Sequence, residues 1–172
     1  DLCDQVGVPL ISCAAAAVIT EPVRPYVFKT AQKDSDAVER IYDHMNGRGI
    51  KRIGLLTDNT SFGQEGLTQL KKALPKYPGL EIVAAESFGK DDTDLRPQIS
   101  KIQAAGAEAI IGWSILQGQS ILLKNARTLG LSIPIYQSHG FANIEYVKAA
   151  GESADGVLFP ASRILIAEQL AE

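Results

Sequence analysis

The groups most able to do chemistry gather in one stretch, LLTDNTSFGQEG, at residues 55–66. Asp58 closes an apolar run, the place a phosphate-accepting carboxylate occupies. The acidic pair before it and the later lysine that such chemistry needs are not evident. The same turn has neither GxxxxGK[ST] nor GxGxxG, so it lacks the backbone cradle that holds a pyrophosphate. No GxSxG elbow presents a serine nucleophile. Ser61 followed by Gln64 has the spacing of a helix-capping box. The run KDDTDL reads as a solvated loop with helix-cap chemistry. The two histidines, His44 and His139, are far apart, and Cys3 and Cys13 have no metal-binding spacing. These cysteines read as small half-buried residues, with a disulfide, to each other or to another part of the protein, left open. No set of residues adds up to a catalytic constellation, and the expectation is a protein that is not an enzyme and needs no cofactor or metal.

What remains unexplained in that stretch is Phe62, an aromatic at the mouth of a polar turn. Its place depends on the elements around it. From residue 34 onward, apolar residues recur at helical spacing: Ala37, Val38, Ile41, Tyr42 and Met45; then Leu67, Leu70, Leu74 and Tyr77; then Leu95, Ile99 and Ile102; then Leu122, Ala126 and Leu129. Pro97 is compatible with its helix only in the first turn. Between these segments lie the short apolar runs RIGLL, EIVAAE, EAIIGW and IPIYQS, and GVLFP follows as an expected last strand. NIEYVKAAG is expected to form a short helix. Alternation of this kind, with strands apolar throughout, predicts an α/β fold: three αβα layers around a parallel, flavodoxin-like sheet.

In open sheets of this class, ligands bind outside the carboxyl ends of the strands. Phe62 follows the end of RIGLL, Trp113 ends EAIIGW, and His139 lies just past IPIYQS, so all three are expected on one rim. Each also has a plainer reading. Phe62 could fold onto the core, Trp113 could be a buried strand end, and His139 could sit in a solvated loop.

The bulk properties narrow the class further. The chain has 172 residues, 45% of them apolar and 22% charged, with a net charge of −3. That balance offers no electrostatic footprint for nucleic acid. The longest apolar run is well short of the roughly 20 residues a membrane helix needs.

Six segments, GVPLISCAAAAVIT, PYVFKTAQKDSDAV, GIKRIGLLTDNTSFGQEG, DTDLRPQISKIQAAGAEAII, NARTLGLSIPIY and AAGESADGVLFPAS, resemble in order the periplasmic ligand-binding receptors of ABC transporters, of the leucine/isoleucine/valine (type I) branch. The resemblance implies two α/β lobes joined by crossing strands, with ligand between them. Residues 1–22 would be the end of the first lobe, 23–30 a hinge crossing, 31–160 the second lobe, and 161–172 the start of the return crossing. It implies an extracytoplasmic receptor, exported by a signal peptide in its precursor, that delivers an amino acid or small organic acid to a membrane permease. A ligand-sensing domain of the same fold in a signalling or regulatory protein is the alternative.

The site implied by the resemblance is Phe62, where relatives carry a tyrosine against the ligand; Ala14 and Ala16, in the segment that holds the ligand carboxylate; Trp113 or Ser114 on a strand end; and His139. Receptors for amino acids carry an acid at the place of His139, to pair with the ligand ammonium. A histidine cannot supply that fixed charge, so the expectation is a carboxylate ligand without an ammonium group. The opening residues 1–20, cut off from their own lobe, are expected to extend away from the second lobe or to pack on a neighbouring molecule.

Overall fold

The computed structural model describes residues 2–163. The main sheet has four parallel strands: β3 (Arg52–Asp58), β4 (Glu81–Phe88), β5 (Ala109–Trp113) and β6 (Ile135–Gln137), in the order β4-β3-β5-β6. This is the flavodoxin-like order, and helices cover both faces. On one face, α2 (Asp34–Gly47) and α3 (Ser61–Ala73) pack Val38, Ile41, Tyr42, Met45 and Leu70 against Ile53, Leu55, Ile111 and Trp113. On the other, α4 (Arg96–Ala104) and α5 (Gly118–Thr128) pack Ile99, Ile102, Leu122 and Leu123 against Leu56 and Ile110. Successive residues of β3 and β5 thus feed opposite cores. That is why these strands are apolar throughout, whereas β4, at the sheet edge, is only half-buried.

Several local expectations match the chain. Pro97 sits in the first turn of α4, where its missing N–H has no helical partner to lose. Gly106 and Gly130, just past α4 and α5, take φ of 72° and 67°, the left-handed conformation that ends a helix at little cost only for glycine. The Asn125 side chain accepts a hydrogen bond from the Leu95 N–H at 2.7 Å and joins these two helices.

Two local expectations are corrected. The cap of α3 is Thr60, not Ser61: the Thr60 hydroxyl accepts from the Gly63 N–H, and Gln64 reaches back to the Asn59 carbonyl. GVLFP is not a strand. Only Leu158 bridges to Tyr136, because the Val157 N–H turns to Ala154 and Pro160 has no N–H to continue a ladder. The short helix after β6 is α6 (Ile144–Ala150).

The first thirty residues do not extend away. After the five-residue helix α1 (Leu2–Val6), strand β1 (Leu10–Ser12) pairs in parallel with β2 (Val27–Lys29), forming a separate two-stranded sheet within the same chain. Its outer faces stay open, with Ile11 66% and Phe28 53% exposed. The segment that leaves β1 turns onto α2 instead, since the Ala15 carbonyl accepts both the Asp34 N–H and the Lys29 ammonium, the latter at 2.7 Å. Main-chain bonding therefore overrides the expected detachment. Most of the return crossing expected at 161–172 lies outside the described residues.

Among the described residues, no helix is long and apolar enough to cross a membrane. Cys3 is half-buried, Cys13 is exposed, and the two are not joined.

Candidate ligand-binding site

In the sheet register, Thr57 lies opposite Trp113, and Gly112 opposite Gln137. Residues 58, 114 and 138 are therefore the first to emerge at one carboxyl edge, and they are wired together. The buried carboxylate of Asp58 accepts from the Ser114 hydroxyl at 2.7 Å, the Ile115 N–H at 3.1 Å and the Thr60 N–H at 2.9 Å. The Ser138 hydroxyl donates to the Ser114 carbonyl and accepts from the Gly140 N–H. Tyr146 adds a bond from its phenol to the Ile115 carbonyl. Asp58 is thus a clamp across the strand ends. The sequence set aside a phosphate-accepting role for Asp58 and left it without another, and only the fold reveals the donors that surround it.

On this frame stands an aromatic cluster. Phe62 stacks on Trp113 with ring centroids 6.0 Å apart, and His139 meets both edge-on, at 5.6 Å from Phe62 and 5.8 Å from Trp113. Such geometries are favourable by about 0.5–1.5 kcal/mol per pair. Gly66 allows the arrangement: a Cβ there would lie 2.2 Å from the Trp113 ring.

Phe62 and His139 border an open pocket of about 590 Å³, which Cys13, Ala14 and Ala16 also line. That volume falls inside the roughly 300–1,000 Å³ of small-molecule sites. Trp113 and Ser114, expected to line it, do not. Both are fully buried, Trp113 behind Phe62 and His139, and Ser114 bound to Asp58. They support the wall from behind.

Sequence reasoning missed two acids on this pocket, Asp34 and Glu65. Asp34 opens α2, where an acid looks like an ordinary partner of the helix dipole. In the fold its side chain is 1% exposed, and Oδ1 lies 3.6 Å from Nε2 of His139. Among the described residues, neither carboxylate oxygen finds a hydrogen-bond donor, and Nδ1 of His139 is also without a partner. Burial, reinforced by the charge of Glu65 and opposed by that of Lys29, raises Asp34 to about 6. Burial, and then Lys29, lowers His139, which favours its neutral form. The premise that no acid stands beside His139 is therefore corrected: Asp34, contributed by a different element, stands there. The expected preference for a carboxylate without an ammonium group loses its basis, because such an anion would meet Asp34 and Glu65.

A doubly wound sheet with a partly apolar, partly acidic pocket at its carboxyl edge defines a ligand-binding α/β lobe. The profile of the family described as periplasmic binding protein matches residues 1–165. A Leu/Ile/Val-binding protein homologue from Brucella melitensis is 24% identical over 161 residues, 92% of this chain and 44% of that protein. A leucine-, isoleucine-, valine-, threonine- and alanine-binding protein from Pseudomonas aeruginosa is 26% identical over 165 residues, 92% of this chain and 43% of that protein. An extracellular ligand-binding receptor from Rhodopseudomonas palustris superposes with a TM-score of 0.89 at 28% identity, covering 99% of this chain and 48% of the receptor. The chain belongs to the periplasmic binding protein family, a family of binding proteins and not of enzymes. It spans less than half the length of the curated relatives it matches.

Proposed function

We propose that the chain is part of an extracytoplasmic solute receptor of an ABC transporter, with an amino-acid-like ligand held in a cleft between two lobes. In this reading residues 31–160 form the second lobe and 1–22 the end of the first. Residues 23–30 and 161–172 cross between them, and the receptor hands its ligand to a membrane permease. The observation that carries the reading is the pocket itself. Residues from the opening segment (Ala14, Ala16) and from beyond two strand ends of the main sheet (Phe62, His139) line it together. The names of the relatives support the ligand class, and the family description and the Rhodopseudomonas receptor support an extracytoplasmic site of action.

The roles follow from the geometry. Phe62 offers a ring face to the apolar part of a ligand, and residues 14–16 offer backbone groups to its polar end. Trp113 and Ser114 hold the wall in place. The test is calorimetry of the full-length protein against amino acids and their deaminated carboxylate twins, with Phe62→Ala in parallel. Saturable binding weakened by Phe62→Ala supports the reading, and no binding to either series overturns it.

A further inference from the structure

We infer that the chain carries a second ligand site, a pocket for a small carboxylate with a short apolar tail, where Arg40 and His44 of α2 meet Tyr136 of β6. The site goes beyond the receptor reading and does not depend on it, because this pocket and the one at the carboxyl edge share no lining residue.

The first support is shape. The pocket holds about 230 Å³ between α2, β6 and residues 158–161, and Ile41, Leu158 and Pro160 give it apolar walls. Ile41 is buried in the core and Leu158 packs on that same core, so the walls are fixed. The volume lies below the roughly 300–1,000 Å³ of sites for drug-sized ligands and suits a tail of a few carbons.

The second support is a set of donors. Among the described residues, Arg40 has no hydrogen-bond or ion-pair partner. Its planar guanidinium matches a carboxylate with two parallel N–H groups. His44 follows one turn later on the same flank of the helix, and its Nδ1 lies 3.0 Å from the Tyr136 hydroxyl. A phenol that donates to Nδ1 leaves the ring proton on Nε2, a further donor for an anion. Burial raises Tyr136, against the lowering effect of Arg48, so the phenol stays neutral and offers Arg40 no counter-charge. The third support is where the acids of α2 go. Glu39 pairs with Lys76 at 2.5 Å, and Asp43 accepts from the Tyr77 hydroxyl at 2.9 Å. Asp34 lies on the other pocket. Asp36 shares an adjoining groove with Arg40 and does not pair with it. Among the described residues no acid lines the pocket itself. Its free charge is therefore positive, and its complement is an anion.

The experiment is an NMR titration of backbone amide shifts in the full-length protein, with hexanoate, acetate and the cation hexylammonium as probes. The variants are Arg40→Gln and Arg40→Lys, at an exposed position, and Phe62→Ala on the other pocket. Hexanoate should shift the amides of Ile41, His44, Tyr136 and Leu158 and reach saturation. Acetate, without a tail, should bind more weakly, and hexylammonium should leave these amides in place. Arg40→Gln should weaken hexanoate by roughly fivefold or more, Arg40→Lys should recover part of that loss, and Phe62→Ala should change nothing at these amides. Shifts confined to Ala14, Phe62 and His139 would place the anion in the other pocket and overturn the inference. An equal response to hexylammonium, no saturable shift at the four amides, or unchanged affinity in Arg40→Gln overturns it as well. Each of these results leaves the receptor reading standing, since that reading is tested on the other pocket.

Discussion

At the scale of single residues, two groups on the pocket, Asp34 and His139, change stability with pH in opposite directions. Asp34 is held up to about 6, above the usual aspartate range of about 4. A raised acid stabilises the fold at low pH and loses that contribution as pH rises through the folded value. In the empty protein the loss attributable to Asp34 should fall between about pH 4 and pH 6. His139, shifted downward, runs the other way. Its contribution is present above its ordinary range near 6.5 and is lost as pH falls below it. The two overlap, so thermal melts of Asp34→Asn and the unaltered protein across pH 4–8 separate them. The variant should be more stable at pH 7 by on the order of 1–3 kcal/mol, with the gap closing toward pH 4. Asp58 is the opposite case. Its carboxylate is surrounded by donors, and Asp58→Ala would strand them. We expect a loss of roughly 2–4 kcal/mol in a denaturant titration.

At the scale of elements, the pocket depends on how closely α3 approaches β5. Gly66 brings the helix against Trp113, and Phe62, one turn earlier, is carried to the pocket by the same approach. Gly66→Ala has no room. Relief requires the helix to move off the sheet, at a cost of about 1–3 kcal/mol, and Phe62 moves with it. Stability and ligand affinity should therefore fall together, measured by urea unfolding and calorimetry. Loss of stability with unchanged affinity would mean that Phe62 is not positioned by this contact.

At the scale of the whole molecule, the chain has two unequal parts. β3 and β5 are covered on both faces, whereas among the described residues β1 and β2 pair only with each other and leave Ile11 and Phe28 exposed. Amide exchange should follow this division. The amides of β3 and β5 should be the slowest, and those of β1 should exchange orders of magnitude faster, because opening the small sheet exposes little buried surface. Exposed apolar residues on an incompletely paired sheet also favour association. Sizing of the 172-residue chain should show a concentration-dependent oligomer, which dissociates when Ile11 and Phe28 are changed to serine.

The main sheet, its parallel order and the helices on both faces were legible in the sequence, because apolar spacing and glycine stops are local and repeat along the chain. The rim was legible in part: the carboxyl-edge rule brought Phe62 and His139 to one place without any contact being known. Tertiary structure decided the rest. Whether Trp113 faces a ligand or supports a wall depends on what stacks over it, which residue type does not reveal. Asp58 becomes a clamp only when Ser114 and Ile115, more than fifty residues away, arrive beside it. Asp34 reads as a helix-start acid until the fold removes its water and brings His139 to 3.6 Å. The charge a carboxylate carries, and what it can bind, are set by desolvation and by neighbours distant in sequence, and those exist only once the chain has closed on itself.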